Sequence, residues 1–163
     1  SQREGARMTF IVVRARSNGG VERTIKDTML QLNLTKVNHA VIIPDNAQYR
    51  GMLQKAKDYN TWGEATEELV EKMLSGRGRM VGDAPLTDEI VAEHTDYTNM
   101  AEFAKASADG ETTVKAVPDL KRVFRLHPPR GPKGWGGIKR SYTVGGALGS
   151  RGEAIGALVE RMI

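Results

Sequence analysis

The chain has 163 residues, a formal net charge of +4 and a hydrophobic fraction of 39%, enough for one domain, or one small core with an extension. With no cysteine it can form neither disulfides nor a thiolate metal site, which agrees with a reducing compartment. No apolar run approaches the ~20 residues of a membrane span, and the opening SQREGARMTF lacks the apolar middle of a secretory signal. The expectation is a soluble intracellular protein whose residues 1–7 form a flexible polar tail.

Residues 9–16 (TFIVVRAR) are β-rich. Ile11, Val13 and Ala15 fall on one face, and Phe10, Val12, Arg14 and Arg16 on the other. The first set lines a core, and the strand's later half shows two arginines opposite it. Ser17-Asn18-Gly19-Gly20 signals a turn, and Val21, Ile25, Met29 and Leu32 follow at helical spacing. Residues 37–43 (VNHAVII) read as a second strand ended by Pro44. Asp45 or Asn46 can cap a second helix, with Tyr49, Met52, Leu53 and Ala56 as its stripe. Residues 59–63 (YNTWG) read as a short third strand. The order predicts an α+β fold, with two helices on one face of a small sheet.

Beyond this the pattern turns helical. Thr66 caps a helix stopped by Gly76, and Thr87 caps another. Asn99 with Glu102 resembles a capping box before Phe103, and Gly110 ends that segment. Residues 123–126 read as a further strand. Residues 153–163 close the chain as a helix with Ile155, Leu158, Val159 and Met162 on one stripe. There is no internal repeat. The expected division is a tail (1–7), an α+β core (8–65), an acidic helical extension (66–119), a basic Gly/Pro-rich tongue (120–152) and the closing helix.

Charge is segregated along the chain. Residues 120–152 hold eight Lys or Arg, eight glycines, three prolines and no Asp or Glu. Residues 83–119 hold nine acidic residues against Lys105 and Lys115. Unpaired cations repel one another until a polyanion neutralises them, and glycine lets backbone approach a ligand closely. The tongue therefore reads as a phosphate-binding segment.

Its candidate contacts are Arg125, His127, Arg130, Lys133, Lys139, Arg140 and Arg151. Pro128-Pro129 holds part of it extended, suited to the grooves and junctions of folded RNA. Trp135, flanked by glycines, reads as a contact with the partner. Tyr142 reads equally as a base platform and as an anchor of the loop. Arg14, Arg16 and Arg50 are expected to form a second, rigid RNA surface, with Gly51 beside Arg50 leaving room for close approach.

The sequence carries no nucleophile–base–acid set, so no enzyme activity, cofactor or metal is expected. His39, His94 and His127 lack metal-ligand spacing. Residues 145–149 (GGALG) superficially suggest a phosphate loop but lack the Gly-Lys-Ser/Thr ending. Two alternatives stay open on composition alone. One is a small phosphate- or nucleotide-binding enzyme using the glycine runs. The other is a basic adaptor for an acidic protein.

Five short motifs occur in order: Val37-Asn38-His39, Tyr49-Arg50-Gly51-Met52-Leu53, Tyr59-x-x-Trp62-Gly63, residues 125–131 (RLHPPRG) and residues 145–149 (GGALG). Together they closely resemble the large-subunit ribosomal protein family known as L-thirty, in its longer archaeal form, related to the eukaryotic L-seven proteins. The likeness runs from Met8 to Ile163. It implies a ferredoxin-like strand-helix-strand-helix-strand core with a three-stranded antiparallel sheet. Bacterial members stop near the equivalent of Glu64, and archaeal ones continue into a helical and extended subdomain. It also implies a cytoplasmic, structural role in the large subunit, binding and stabilising its large RNA beside neighbouring ribosomal proteins. Contact with the small ribosomal RNA of that subunit is left open. Residues 1–7 have no obvious counterpart in a typical member, and the turn at 17–20 is unusually glycine-rich.

Overall fold

The computed structural model describes residues 9–17, 20–131 and 134–163. Six strands form one mixed sheet in the order β4-β2-β1-β3-β6-β5. They are β1 (Thr9–Arg14), β2 (His39–Pro44), β3 (Asn60–Glu64), β4 (Phe124–Arg125), β5 (Gly137–Ser141) and β6 (Gly146–Gly152). The helices are α1 (Arg23–Gln31), α2 (Ala47–Lys55), α3 (Glu67–Arg77), α4 (Asp88–His94), α5 (Met100–Ala108) and α6 (Ile155–Glu160). The fold is mixed α+β, as expected, but the sheet has six strands rather than three. β2-β1-β3 is its antiparallel centre. The basic segment adds β4 antiparallel to β2 at one edge, and β6 and β5 in parallel beside β3 at the other.

The central strand is sandwiched. Ile11 and Val13 join Ala40 in a core with Leu69, Val70, Met73 and Leu74 of α3, Phe103 and Ala104 of α5, and Ile155, Leu158 and Val159 of α6. Val12 faces the other way, into a core with Val41, Ile43, Trp62, Leu53 of α2, and Leu32 and Leu34 after α1. The two helices expected on one face are there, and the other face is covered as well. α1 and α2 cover one face, and the later helices cover the other.

Helix starts follow local chemistry. Asn46, Thr66, Thr87 and Asn99 each accept a hydrogen bond from the backbone N–H three residues on. Glu102 reaches back to the N–H of Thr98 rather than to that of Asn99, one residue beyond a standard capping box. Gly110, with φ of 79°, closes α5 in a Schellman motif: its N–H donates to Ser107 O and that of Glu111 to Ala106 O.

β1, β3 and β4 differ from the expected bounds by one or two residues at an end, and three further boundaries also differ. α3 runs through Gly76 to Arg77, because Gly76 packs in the helix where a β-carbon would come within 2.8 Å of Ile163. β2 begins at His39, since Asn38 has a left-handed φ of 71°. The closing helix is confined to Ile155–Glu160, although its four predicted core residues are all buried. Of the glycine-rich turn at 17–20, Asn18 and Gly19 lie outside the described residues.

Candidate nucleic-acid interface

The basic segment is woven into the body at both ends. At its root, Lys121 Nζ donates to Asp83 Oδ1 at 2.7 Å, and Arg125 Nη2 donates to the same oxygen at 2.5 Å. Both cations hold the Asp83 carboxyl below its ordinary range. Next, the Pro-Pro run lies along the end of α6. His127 N donates to Met162 O and Arg130 N to Arg161 O, while both side chains remain exposed. Arg161 Nη1 donates to the carbonyls of Arg130 and Gly134. The extended path is therefore docked on the protein by main-chain hydrogen bonds.

Trp135 is half-buried against the main core, and its Nε1 donates to Asn38 Oδ1 at 3.2 Å. The ring thus anchors the loop, a role beside the partner contact expected of it. A buried indole needs a partner for its N–H, and Asn38 supplies one. Lys133 lies outside the described residues.

β5 follows, with all five residues exposed, Lys139 and Arg140 among them. A 3₁₀ turn at Tyr142–Val144 and Gly145, with φ of 89°, leads back into β6. Residues 145–149 therefore form a turn and the first part of β6, and α6 begins only at Ile155, beyond the end of that strand. Gly146 has a structural reason of its own: a β-carbon there would stand 2.2 Å from Arg140 O.

Arg151 is not a free surface cation. Its Nε donates to Thr61 Oγ1 at 2.8 Å and its Nη2 to Ala147 O at 3.0 Å, and its guanidinium lies over the Tyr142 ring, 4.8 Å from the centroid. Burial pushes its pKa down, Tyr142 pulls it up, and Arg161 lowers it further.

The three arginines of the expected rigid surface do not act alike. Arg14 is 2% exposed, so its side chain is buried within the protein rather than displayed on the expected RNA surface. Its Nε donates to Arg16 O at 2.8 Å and its Nη1 to Leu34 O at 2.9 Å, and burial lowers its pKa. Arg16 is half-buried over the Tyr59 ring, 5.1 Å from the centroid. Arg50 is exposed but bidentate on Asp45, which raises its pKa.

Two cations escaped the sequence reading. Arg77 closes α3 and Arg79 follows it; burial first, then the charges of Arg79 and Arg130, lower the pKa of Arg77. The Arg-Gly-Arg triplet was the available signal, hidden inside a segment of nearly balanced charge. Among the described residues, the exposed cations of the basic segment are thus Arg122, Arg125, Arg130, Lys139 and Arg140, with half-buried Arg77 near Arg130.

An α+β body bearing such a carboxylate-free cationic strand and loop has the build of a polyanion-binding protein. The sequence model described as "Ribosomal protein L30p/L7e" matches residues 10–60, which span β1 to the start of β3. A relative from Methanopyrus kandleri, named large ribosomal subunit protein uL30, is 53% identical over 144 residues, 88% of this chain and 97% of its own length. Proteins of the same name from Methanobrevibacter smithii and Archaeoglobus fulgidus are 48% and 49% identical, each over 94% of this chain and 99% of their own. The chain belongs to the ribosomal protein L30p/L7e family.

Proposed function

We propose that this chain is a structural, non-catalytic protein of the large ribosomal subunit that binds and stabilises ribosomal RNA, in the cytoplasm where that subunit works. The observation that carries the contact surface is β5 with its flanks. Between Leu120 and Gly152 no carboxylate occurs, and Arg122, Arg130, Lys139 and Arg140 stand exposed. Those four, with Lys133, are the phosphate contacts. Arg125, Arg16 and Arg50 are secondary ones, each already engaged within the protein. Nine acidic residues between Asp83 and Asp119 favour a basic neighbouring ribosomal protein over RNA on that side. The part matched by the family model is read as the ferredoxin-like unit, with residues 66–119 as the acidic extension and 120–152 as the RNA-binding segment. The names of the archaeal relatives support the reading, as does the strand conformation of residues 146–149, which disfavours a nucleotide-binding loop.

Salt dependence tests it. Each lost phosphate contact lowers the slope of log affinity against log salt by about one. Replacing Arg122, Arg130, Lys139 and Arg140 together by Ala is expected to flatten the slope on ribosomal RNA by about three to four. An unchanged slope would remove the segment from the interface.

A further inference from the structure

The turn between β5 and β6 carries an aromatic ring held in place for something outside the protein. Tyr142 is 40% exposed, so it contributes little to either core. Yet the Arg151 guanidinium stacks on it. That guanidinium covers one ring face, and its position is fixed by Thr61 Oγ1 on β3 and by Ala147 O on β6. Thr61 is itself fully buried and donates to Gly149 O at 2.8 Å. A desolvated arginine is thus stacked on a ring whose remaining surface faces solvent.

The surroundings select the ligand. Val144, in the same turn, is 65% exposed and Ile138 on β5 is 39% exposed, so the elements that flank the ring also expose apolar side chains. Lys139 and Arg140 follow Ile138 on exposed β5. An added β-carbon at Gly145, which ends the Tyr142–Val144 turn, would meet no atom within 4 Å, so the backbone there is open to close approach. A flat apolar surface beside cations, with no carboxylate in the segment, matches a nucleobase with its own phosphate. A duplex presents phosphates but keeps its base faces stacked inside. An unpaired base offers both.

We infer that Tyr142, backed by Arg151, is a preorganised stacking platform for an unpaired base of the bound RNA, with Val144 and Ile138 as its apolar margin. This rests on the RNA-binding reading and adds to it that the β5–β6 turn meets a loop, bulge or end rather than a helix. The guanidinium on the far face holds the ring at fixed tilt and adds cation–π attraction across it. Little ordering is then left for the moment of binding.

The test uses the full chain and two RNA probes of equal length, one a hairpin with an unpaired loop and one a blunt duplex. Tyr142→Leu keeps bulk and removes the π-face, and Tyr142→Phe keeps the face and removes the hydroxyl. The Leu variant is expected to lose about tenfold or more in affinity for the hairpin and nothing for the duplex, with an unchanged salt slope. The Phe variant is expected to match the parent on both. Thermal melting of both variants verifies that the fold is kept. Equal hairpin affinity for parent and Leu variant would overturn the inference and leave the phosphate surface standing. Equal losses on both probes would also overturn it, assigning Tyr142 to the fold of the turn. Failure of the parent chain to bind either RNA would overturn the RNA reading and the platform with it.

Discussion

Asp83 and Arg125 are separated by forty-two residues of sequence and by 2.5 Å of space. The pair ties the acidic middle of the chain to the root of its basic segment, and Lys121 shares the same carboxylate oxygen. Segregated charge therefore serves two ends: most of the segment faces outward, and its base is neutralised in place.

Removing that carboxylate should strengthen RNA binding. In Asp83→Asn, Lys121 and Arg125 lose their anion and become available to phosphate. The slope of log affinity against log salt is expected to steepen by up to about two. The ion pairs are exposed, so the melting temperature should hardly move. Filter binding at several salt concentrations checks this. A weaker slope would mean that Asp83 positions the segment for RNA rather than competing with it.

Arg14 and Arg50 should behave oppositely to their shared role in the sequence reading. Arg14→Ala strips the carbonyls of Leu34 and Arg16 of a buried donor, at a cost of about 2–4 kcal/mol. The urea midpoint should fall, while RNA affinity of the folded fraction stays as in the parent. Arg50→Ala removes an exposed pair and should leave the midpoint in place. A loss of RNA binding by Arg14→Ala at unchanged stability would contradict the structural assignment.

These two arginines also show what was legible in the sequence. Local features were: four helix caps act over three residues, and the caps named from sequence at Asn46, Thr66, Thr87 and Asn99 are the ones that form. The alternation along β1 was legible too, and its Ile11–Val13 face lines a core as expected, but not that the opposite face would be covered as well. The cover over Ile11 and Val13 comes from α3, α5 and α6, far along the chain. A strand buried on both sides has no solvent face, so Arg14 is buried with its neighbours. The anchoring of Trp135 was hidden for the same reason: its partner Asn38 lies ninety-seven residues away. Charge segregation needed no contacts to be seen. The pairing of Asp83 with Arg125, or of Arg151 with Thr61, needed the folded chain.

His39 makes stability depend on pH. It stands on β2 opposite Arg125, with Arg14 and Lys36 also near, and its buried Nδ1 has no hydrogen-bond partner. Burial first, then the charges of Lys36, Arg125 and Arg14, lower its pKa below the ordinary 6.5. In this range the unfolded chain binds the proton more readily than the folded one. Stability is therefore full above 6.5 and is lost as pH falls through 6.5 toward the lower folded value. Asp83 and Glu102, whose pKa values are also lowered, act only in the more acidic carboxylate range. Melting temperature is expected to drop between pH 7 and pH 5, and to drop less in His39→Gln. Equal drops in both proteins would move the effect to another group.

The last prediction concerns residues 9–65, which hold β1, α1, β2, α2 and β3 and include the whole match to the family model. Cut free, they keep the core around Val12, Leu53 and Trp62 but uncover the other face of the sheet. Ile11, Val13 and Ala40 lose α3 and α5, and Gly63 loses the close packing of Gly152 and Ile155 against it. Exposing Ile11 and Val13 costs about 1.5–3 kcal/mol each, against the roughly 5–15 kcal/mol that holds a typical domain. A fragment of this size starts near the lower limit for autonomous folding. It should therefore show partial far-UV circular dichroism and a broad, weakly cooperative melt, where the full chain melts in one sharp transition. Its RNA affinity should be far below that of the full chain, because β5 and its cations are gone. A fragment that folds cooperatively and binds RNA with full affinity would show that residues beyond 65 neither complete the core nor make the interface.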